Sequence, residues 1–480
     1  MKPNQITTRL SLAKHLLKKY GHSLYKPYQE KGVRWLLKRE CTHRNDGTKL
    51  PSPYGGFLCD EMGLGKTIQF ITLILANPVP NTLLVLPANL IQQWKSEFKR
   101  FAPDLQIYIH HGANRIWHPN VVLNRTDTRP MVWITSYGLL RGIKHQTTIF
   151  HKITWDRVII EEAHTFRNSK SSISRAIKSL NSKYRWGITG TPIQNYLSDL
   201  VSLFGFLRIP KCILLGNIDY IKNKFILRRT KKEVEIYNSK LALPKIDIQI
   251  VEVPHQTNQE LEFYQKTSEL SWDGPLEVSL ILKQACILPH LVINGYNKKF
   301  RNKIKSWKGT NTKLDTIIDD VIHNNQQRII IFTNFKSEMT YLKQKLDTHH
   351  ISNQHIDGST PLQVRADIIK SCYNIYDPTH PNYIQVLLIQ INAGSTGLNL
   401  QMFNHIYFTS PHWNPAVEMQ AIARAHRIGQ TKEVVVKKYA IVSSDSFTIE
   451  QRILSQQLHK RSIIAEFLKD EDILYNGTTI

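Results

Sequence analysis

Short apolar runs rich in β-branched residues alternate along this chain with longer stretches in which apolar residues recur at helical spacing. A strand buried on both faces reads as an unbroken apolar run, so the alternation predicts βαβ units stacked on parallel sheets. Strands are predicted at 82–86, 132–135, 157–160 and 186–189 in the first half. In the second half they are predicted at 328–333, 385–389, 405–409 and 433–440. From about 195 to 311 the spacing is helical and strand signals are few. The predicted fold class is α/β: two lobes of parallel sheet flanked by helices, with helical insertions between them. The polar, basic segments 237–244 and 297–312 read as linkers. At the amino end, Leu10, Leu12, Leu16 and Leu17 predict a short amphipathic helix. That segment lacks the apolar core and small-residue cleavage site of a signal peptide.

Composition narrows the class. A chain of 480 residues exceeds what one core organises, which supports two domains. Charged residues make up 21%, ordinary for a globular protein, and no run reaches the roughly 18 apolar residues that cross a bilayer. The cysteines Cys41, Cys59, Cys212, Cys286 and Cys372 are scattered and form no Cys-x-x-Cys. They point to a reducing compartment and away from a structural zinc module. A formal charge of +25 attracts polyanions, of which nucleic acid is the commonest, and does not separate DNA from RNA.

The sharpest local signal is Asp60-Glu-Met-Gly-Leu-Gly-Lys-Thr67, preceded by Gly55-Gly-Phe-Leu-Cys59. A Gly-rich loop entering a helix aims backbone N–H groups at phosphate oxygens. Gly63 and Gly65 permit close approach, Lys66 reaches the terminal phosphates, and Thr67 offers a hydroxyl to Mg²⁺. Asp60 stands where the general pattern has glycine. Downstream, Arg157-Val-Ile-Ile-Glu-Glu-Ala-His164 ends an apolar run in two carboxylates, at the carboxyl edge of a parallel sheet where such folds bind ligands. One carboxylate, Glu161, is placed for the metal shell; the next, Glu162, for the attacking water. Far downstream, Gln420-Ala-Ile-Ala-Arg-Ala-His-Arg-Ile-Gly-Gln430 sets Arg424 and Arg427 three apart, the spacing of one helix face. Their guanidinium forks suit the γ-phosphate of a nucleotide held by the other lobe.

With these motifs in place, the chain resembles the Swi/Snf family of superfamily 2 helicase-like ATPases from about residue 24 to 464. Leu24-Tyr-Lys-Pro-Tyr-Gln29 looks like that family's adenine-reading segment, with Gln29 as the base contact. Leu83-Leu-Val-Leu-Pro-Ala-Asn-Leu-Ile-Gln-Gln-Trp94 and Ile134-Thr-Ser-Tyr137 match further motifs, the latter a strand end facing DNA. Ile188-Thr-Gly-Thr-Pro-Ile-Gln-Asn195 matches the segment that couples hydrolysis to lobe movement. Phe225-Ile-Leu-Arg-Arg-Thr-Lys231 and Gln284-Ala-Cys-Ile-Leu-Pro-His290 match features peculiar to the family. In the second half Ile331–Phe335, His355–Thr360, Ala393–Leu400 and Trp413-Asn-Pro415 complete the set, with Gln420 included among the nucleotide-binding positions.

The resemblance implies two RecA-like lobes, ATP with Mg²⁺ as the nucleotide and metal, and double-stranded DNA gripped mostly by its backbone. The implied division is a basic helical extension over 1–22 and lobe 1 over 23–245, with a helical insertion near 195–245. A helical linker or protrusion over 246–311, lobe 2 over 312–464 and a tail over 465–480 follow. Lys95, Arg141 and the run Arg228–Lys232 are candidates for DNA contact, the last also for bracing the lobes. Two departures bear on this. Glu161 stands where the family has Asp, moving the metal-shell carboxylate outward by about 1 Å, which octahedral Mg²⁺ tolerates poorly. Ser395 replaces a glycine in a DNA-facing loop. The expected function is a DNA-dependent ATPase that translocates along the duplex; the alternatives are a strand-unwinding DNA or RNA helicase and a degenerate DNA-binding scaffold. Compactness and a composition rich in Ile, Asn, Lys and His suggest a minimal motor of a large DNA virus. The expected location is the nucleus or a site of DNA replication or transcription, including a viral factory or virion, with protein partners supplying targeting and no membrane attachment.

Overall fold

The structure, a computed structural model, describes residues 3–25, 27–41, 54–112, 129–142, 148–190, 198–236, 243–270, 274–300, 306–375, 377–394, 398–427, 429–444 and 447–468. The chain divides into two compact units, Met1–Ala242 and Leu243–Ile480. Each is built on a sheet in which every strand pair is parallel. These are two α/β lobes of parallel sheet flanked by helices.

The first sheet contains β1 (Gly55–Leu58), β2 (Asn81–Leu86), β3 (Gln106–His110), β4 (Met131–Ser136), β5 (Thr154–Glu161), β6 (Asn181–Ile188) and β7 (Ile226–Leu227). Their order across the sheet is β3-β4-β2-β5-β6-β1-β7. Helix α1 (Pro3–Lys19) follows the leucine periodicity only in part: Ile6, Leu10, Ala13 and Leu17 enter the core, whereas Leu12 is 55% exposed. The helix is therefore part of the first core and not an appendage to it. It packs, with α2 (Tyr28–Cys41), on α3 (Lys66–Ala76), whose side chains are mostly buried because it lies between the sheet and these two helices. Helix α4 (Ile91–Phe101) is amphipathic in the simple sense: Ile91, Trp94, Phe98 and Phe101, three or four apart, are its buried face.

The second sheet contains β8 (Ile246–Pro254), β9 (Ile329–Thr333), β10 (Asn353–Ile356), β11 (Val386–Gln390), β12 (His405–Phe408) and β13 (Val434–Val442). The order is β10-β11-β9-β12-β13-β8. Alternate residues of its central strands feed two cores. Ile329, Ile331, Val386 and Leu388 enter one, while Ile330, Phe332, Leu387 and Ile389 enter the other. Burial on both faces is why these strands read as unbroken apolar runs.

One segment departs from the expected helical linker. Residues 246–254, read as its start, form β8 and pair with β13 along nine positions. Ile246, Ile248 and Ile250 alternate with Asp247 and Gln249, the period of an edge strand with one wet face. The helical part begins later, at Asn258–Glu269, Pro275–Ile287 and Pro289–Phe300. No described helix is long and apolar enough to cross a membrane, and the five cysteines are free thiols.

Candidate nucleotide site

Strand β1 delivers the chain to the Gly-rich loop, and the loop delivers it to the N-terminus of α3. Gly65, at φ 73°, is the left-handed residue before Lys66, and Gly63 lies at φ 93°. A Cβ on Gly65 would come within 2.4 Å of the Gln29 amide nitrogen, so glycine is required for packing as well as for backbone angle. Lys66 Nζ lies 2.7 Å from the Asp60 carbonyl and 3.3 Å from that of Glu61, which curls the lysine back over the loop. Thr67 follows in the first turn of α3.

Gln29, the expected adenine reader, is buried against this loop. Its Nε2 donates to the Leu64 carbonyl at 3.2 Å, and its Oε1 accepts from the Tyr25 N–H at 2.9 Å. The Tyr28 hydroxyl donates to the same Leu64 carbonyl at 3.1 Å, and burial pushes that phenol up to about 12. Base-reading segment and phosphate loop are thus one hydrogen-bonded body.

Asp60 has a distant partner. Its carboxylate is fully buried and accepts from Arg229 through two nitrogens, Nε at 2.9 Å and Nη2, and from Gln69 Nε2 at 3.1 Å. Arg229 also donates to the Gln69 side-chain oxygen at 2.8 Å and to the Tyr28 carbonyl. Gly32 makes room for this: a Cβ there would sit 1.9 Å from Gln69 Oε1 and 2.7 Å from Arg229 Nη2. The backbone follows the same pairing past β7, with Cys59 N–H on the Leu227 carbonyl (2.7 Å) and Glu61 N–H on that of Arg229 (3.0 Å). Arg228 lies 3.8 Å from the Glu61 carboxylate. The run expected to touch DNA or brace the lobes therefore turns Arg228 and Arg229 onto the acids of the phosphate loop. Lys95 and Arg141 are exposed, as a backbone contact requires.

The carboxylates arrive from β5. Glu161 ends the strand opposite Ile188 of β6, and Glu162 adopts a left-handed conformation (φ 52°, ψ 54°). His164 Nδ1 lies 3.4 Å from Glu162 Oε2 and 3.1 Å from Thr189 Oγ1, and burial holds its pKa below the ordinary histidine value. Thr189 N–H bonds the Leu58 carbonyl of β1, and a Cβ on Gly190 would lie 3.9 Å from Lys66 Nζ. His164 thus ties Glu162 to Thr189 at the end of β6, and Gly190 beside it leaves open the space next to Lys66 Nζ. Loop and acids share the carboxyl edge of one sheet. Of the segment 188–195, residues 191–195 lie outside the described residues, as does Ser395.

Among the described residues, no group of three or more His, Cys, Asp or Glu is placed to hold a metal ion by itself. The Thr67 hydroxyl and the Glu161 carboxylate are hard oxygen donors. They suit Mg²⁺, which takes one or two protein oxygens and completes its octahedron with phosphate and water.

In the second unit Asn414 caps the helix Pro415–Ala425, accepting from Ala416 N–H at 3.1 Å, with Pro415 in the first turn. Gln420 and Arg424, four apart, share a face of it. Arg427 does not, contrary to the spacing argument. The helix stops at Ala425 because Leu400 N–H takes the Arg424 carbonyl (3.0 Å) and His426 leaves helical angles, its Nε2 2.8 Å from the Pro244 carbonyl. Arg427 stands on the following turn, which closes with Gly429 at φ 103° and Gln430 N–H on the Arg427 carbonyl (3.0 Å).

Two family models match the chain: the SNF2-related domain over residues 28–213 and the helicase conserved C-terminal domain over 312–429. An uncharacterized ATP-dependent helicase of Mycoplasma pneumoniae is 29% identical over 94% of this chain and 43% of its own length. The ISWI chromatin-remodeling complex ATPase ISW2 of Saccharomyces cerevisiae is 27% identical over 94% of this chain and 41% of its own. The chain spans less than half the length of these two relatives. The SWI2/SNF2 ATPase core of Sulfolobus solfataricus, solved in complex with dsDNA, is 24% identical over 94% of both chains, with a TM-score of 0.38. Phosphate loop, paired carboxylates, family-specific segments and domain matches agree: the chain carries an SNF2-related domain followed by a helicase conserved C-terminal domain.

Proposed function

We propose that the chain is a DNA-dependent ATPase that translocates along double-stranded DNA and so displaces or remodels what is bound there. The observation that carries the reading is the carboxyl edge of the first sheet. A lysine at a helix N-terminus stands there beside a strained glutamate after β5 that His164 ties to Thr189. Such an edge binds a nucleoside triphosphate by its phosphates. In this reading Lys66 leaves the Asp60 carbonyl for the terminal phosphates, Gln29 reads the base, and Glu162 aligns the attacking water. Bound Mg²⁺, held by Thr67 and Glu161, supplies neutralisation of phosphate charge.

Gln420, Arg424 and Arg427 of the second unit are assigned to the same nucleotide. ATP drawing these arginines in, and hydrolysis releasing them, gives a two-stroke cycle for a motor whose lobes grip the duplex separately. A charge of +25 supports a polyanionic track. The yeast relative's name, that of a chromatin-remodeling complex ATPase, supports DNA over RNA. The proposed setting is a compartment of DNA replication or transcription; composition adds that of a large DNA virus.

ATP turnover with duplex DNA, single-stranded DNA and RNA tests the reading, together with displacement of a DNA triplex. Duplex stimulation and triplex displacement without strand separation are expected. Stimulation by RNA alone, strand separation, or no turnover at saturating duplex would each overturn it.

A further inference from the structure

We propose that Tyr137 is a positioning residue for hydrolysis, its hydroxyl fixing the backbone on which Glu161 and Glu162 stand. The inference rests on the ATPase reading above and adds to it what holds the carboxylates in place.

Glu162 is one of three non-glycine residues with positive φ among those described. A side chain in that region persists where its surroundings over-determine it, and such residues gather at functional sites. The determinants here are few and can be named. The Tyr137 hydroxyl donates to the Glu161 carbonyl at 2.5 Å and lies 3.3 Å from that of Glu162. Thr165 N–H donates to the Glu162 carbonyl at 2.9 Å, and the Thr165 side chain lies beside the same phenol.

The bond also crosses the sheet. Tyr137 opens the short helix Tyr137–Arg141 directly after β4, and β2 lies between β4 and β5. The ring therefore reaches over the end of an intervening strand to meet the acids. A tyrosine that merely packed could place its hydroxyl on any nearby carbonyl. This one, 6% exposed, places it on the two that flank the turn between the metal-shell carboxylate and the proposed base. Burial raises the phenol far above its ordinary pKa, so it remains a donor throughout the working pH range.

Moving Glu162 without touching the phosphate loop should slow the chemical step and spare nucleotide binding. Tyr137→Phe keeps the ring and removes only the donor. Its kcat is expected to fall roughly 10- to 100-fold, the cost of a misplacement of about 1 Å at the reacting atoms. KM for ATP and the affinity for a fluorescent ADP should stay within about twofold, the mark of an interaction that acts in the transition state. Thr165→Val, which removes the hydroxyl beside that phenol and leaves the ring alone, should lower kcat by a smaller factor. Thr82→Val is the control, since its hydroxyl is buried on the intervening strand β2 but accepts from Arg157 Nη1 at 3.3 Å, at the end of the sheet opposite the acids; its kcat should not change. ADP binding and thermal melting establish that each variant is folded. If Tyr137→Phe turns over like the unsubstituted chain, or Thr82→Val loses as much, the positioning role is wrong and the ATPase reading stands. If the unsubstituted chain has no turnover, both fall.

Discussion

Asp60 and Arg229 are 169 residues apart in sequence, and their pairing can be tested by removing one partner at a time. Asp60 is fully buried; its side chain is held by two Arg229 nitrogens and the Gln69 amide. Arg229→Met keeps the length of the side chain and removes both charged donors, leaving a buried carboxylate with one neutral donor. Breaking a buried pair in this way costs about 3–5 kcal/mol, because the remaining charge is uncompensated. The first unit should therefore lose about that much, and at roughly 2–4 °C per kcal/mol for a domain of this size its melting transition should drop by about 6–20 °C. Asp60→Asn should cost less, since the Arg229 side chain retains 14% exposure and is partly solvated. The double variant should recover most of the loss, because the buried charge is gone. Calorimetry with two transitions, one for each unit, separates this from any effect on the second sheet. KM for ATP should rise with the loss, because Arg229 also ties Tyr28 and the base-reading segment to the loop. A shift below about 3 °C for Arg229→Met, or a double variant no better than the single, would show that the pairing does not hold the loop.

Glu162→Gln should bind ATP and stall before hydrolysis, seen as nucleotide affinity without turnover, whereas Lys66→Ala should lose productive binding. Arg427→Ala should lose a factor on the order of 10³ in kcat, as when an arginine finger is removed; normal turnover would dissociate the second unit from the nucleotide. Leu17→Ala, in the buried face of α1, should cost the first unit about 2–5 kcal/mol by denaturant titration. A cost near zero would return that helix to the status of an extension. In the second unit, burial pushes Glu338 up to about 7 from the ordinary 4.5. A carboxyl whose folded pKa is raised binds more protons folded than unfolded, so its contribution to stability grows as pH falls from about 7 to about 4.5 and is complete below that. The difference between the unsubstituted chain and Glu338→Gln should change over this window by up to about 3 kcal/mol, at about 1.4 kcal/mol per unit. A flat difference would refute the assignment.

What could be read from the sequence, and what could not, follows from where the determining contacts lie. Most central strands were legible because both faces are buried and the apolar runs need no partner to be recognised; β1, also interior, was not, because Gly55-Gly56 leaves it only Phe57 and Leu58 as an apolar run. Edge strands were not. In β10, Asn353, Gln354 and His355 show no apolar run, and β7 is two residues long. The β8 pattern was present but sits beside helices that dominate the segment. For the site, Lys66, Thr67, Glu161 and Glu162 were legible as local chemistry, and the structure sets loop and acids on one sheet edge. Arg424 and Arg427 were legible as residues but not as geometry. What ends their helix is Leu400, 24 positions upstream of Arg424, and no spacing rule within the motif reports it.

The Asp60 departure shows the same limit from the other side. Against the general phosphate-loop pattern it reads as a defect, a carboxylate where glycine belongs, close to a lysine that needs to meet phosphate. In the fold the charge is matched by Arg229, and Gly32 is small so that Gln69 and Arg229 can reach it. Residues on separate segments thus compensate one another, and each looks ordinary alone. It follows that the arginine pair after Phe225 belongs to the phosphate loop in this chain, so a basic run there is not by itself a sign of nucleic-acid contact. The exposed Lys95 and Arg141 carry that expectation instead. Their replacement by alanine should weaken duplex binding at every sequence alike and reduce its salt slope by about one for each phosphate no longer neutralised.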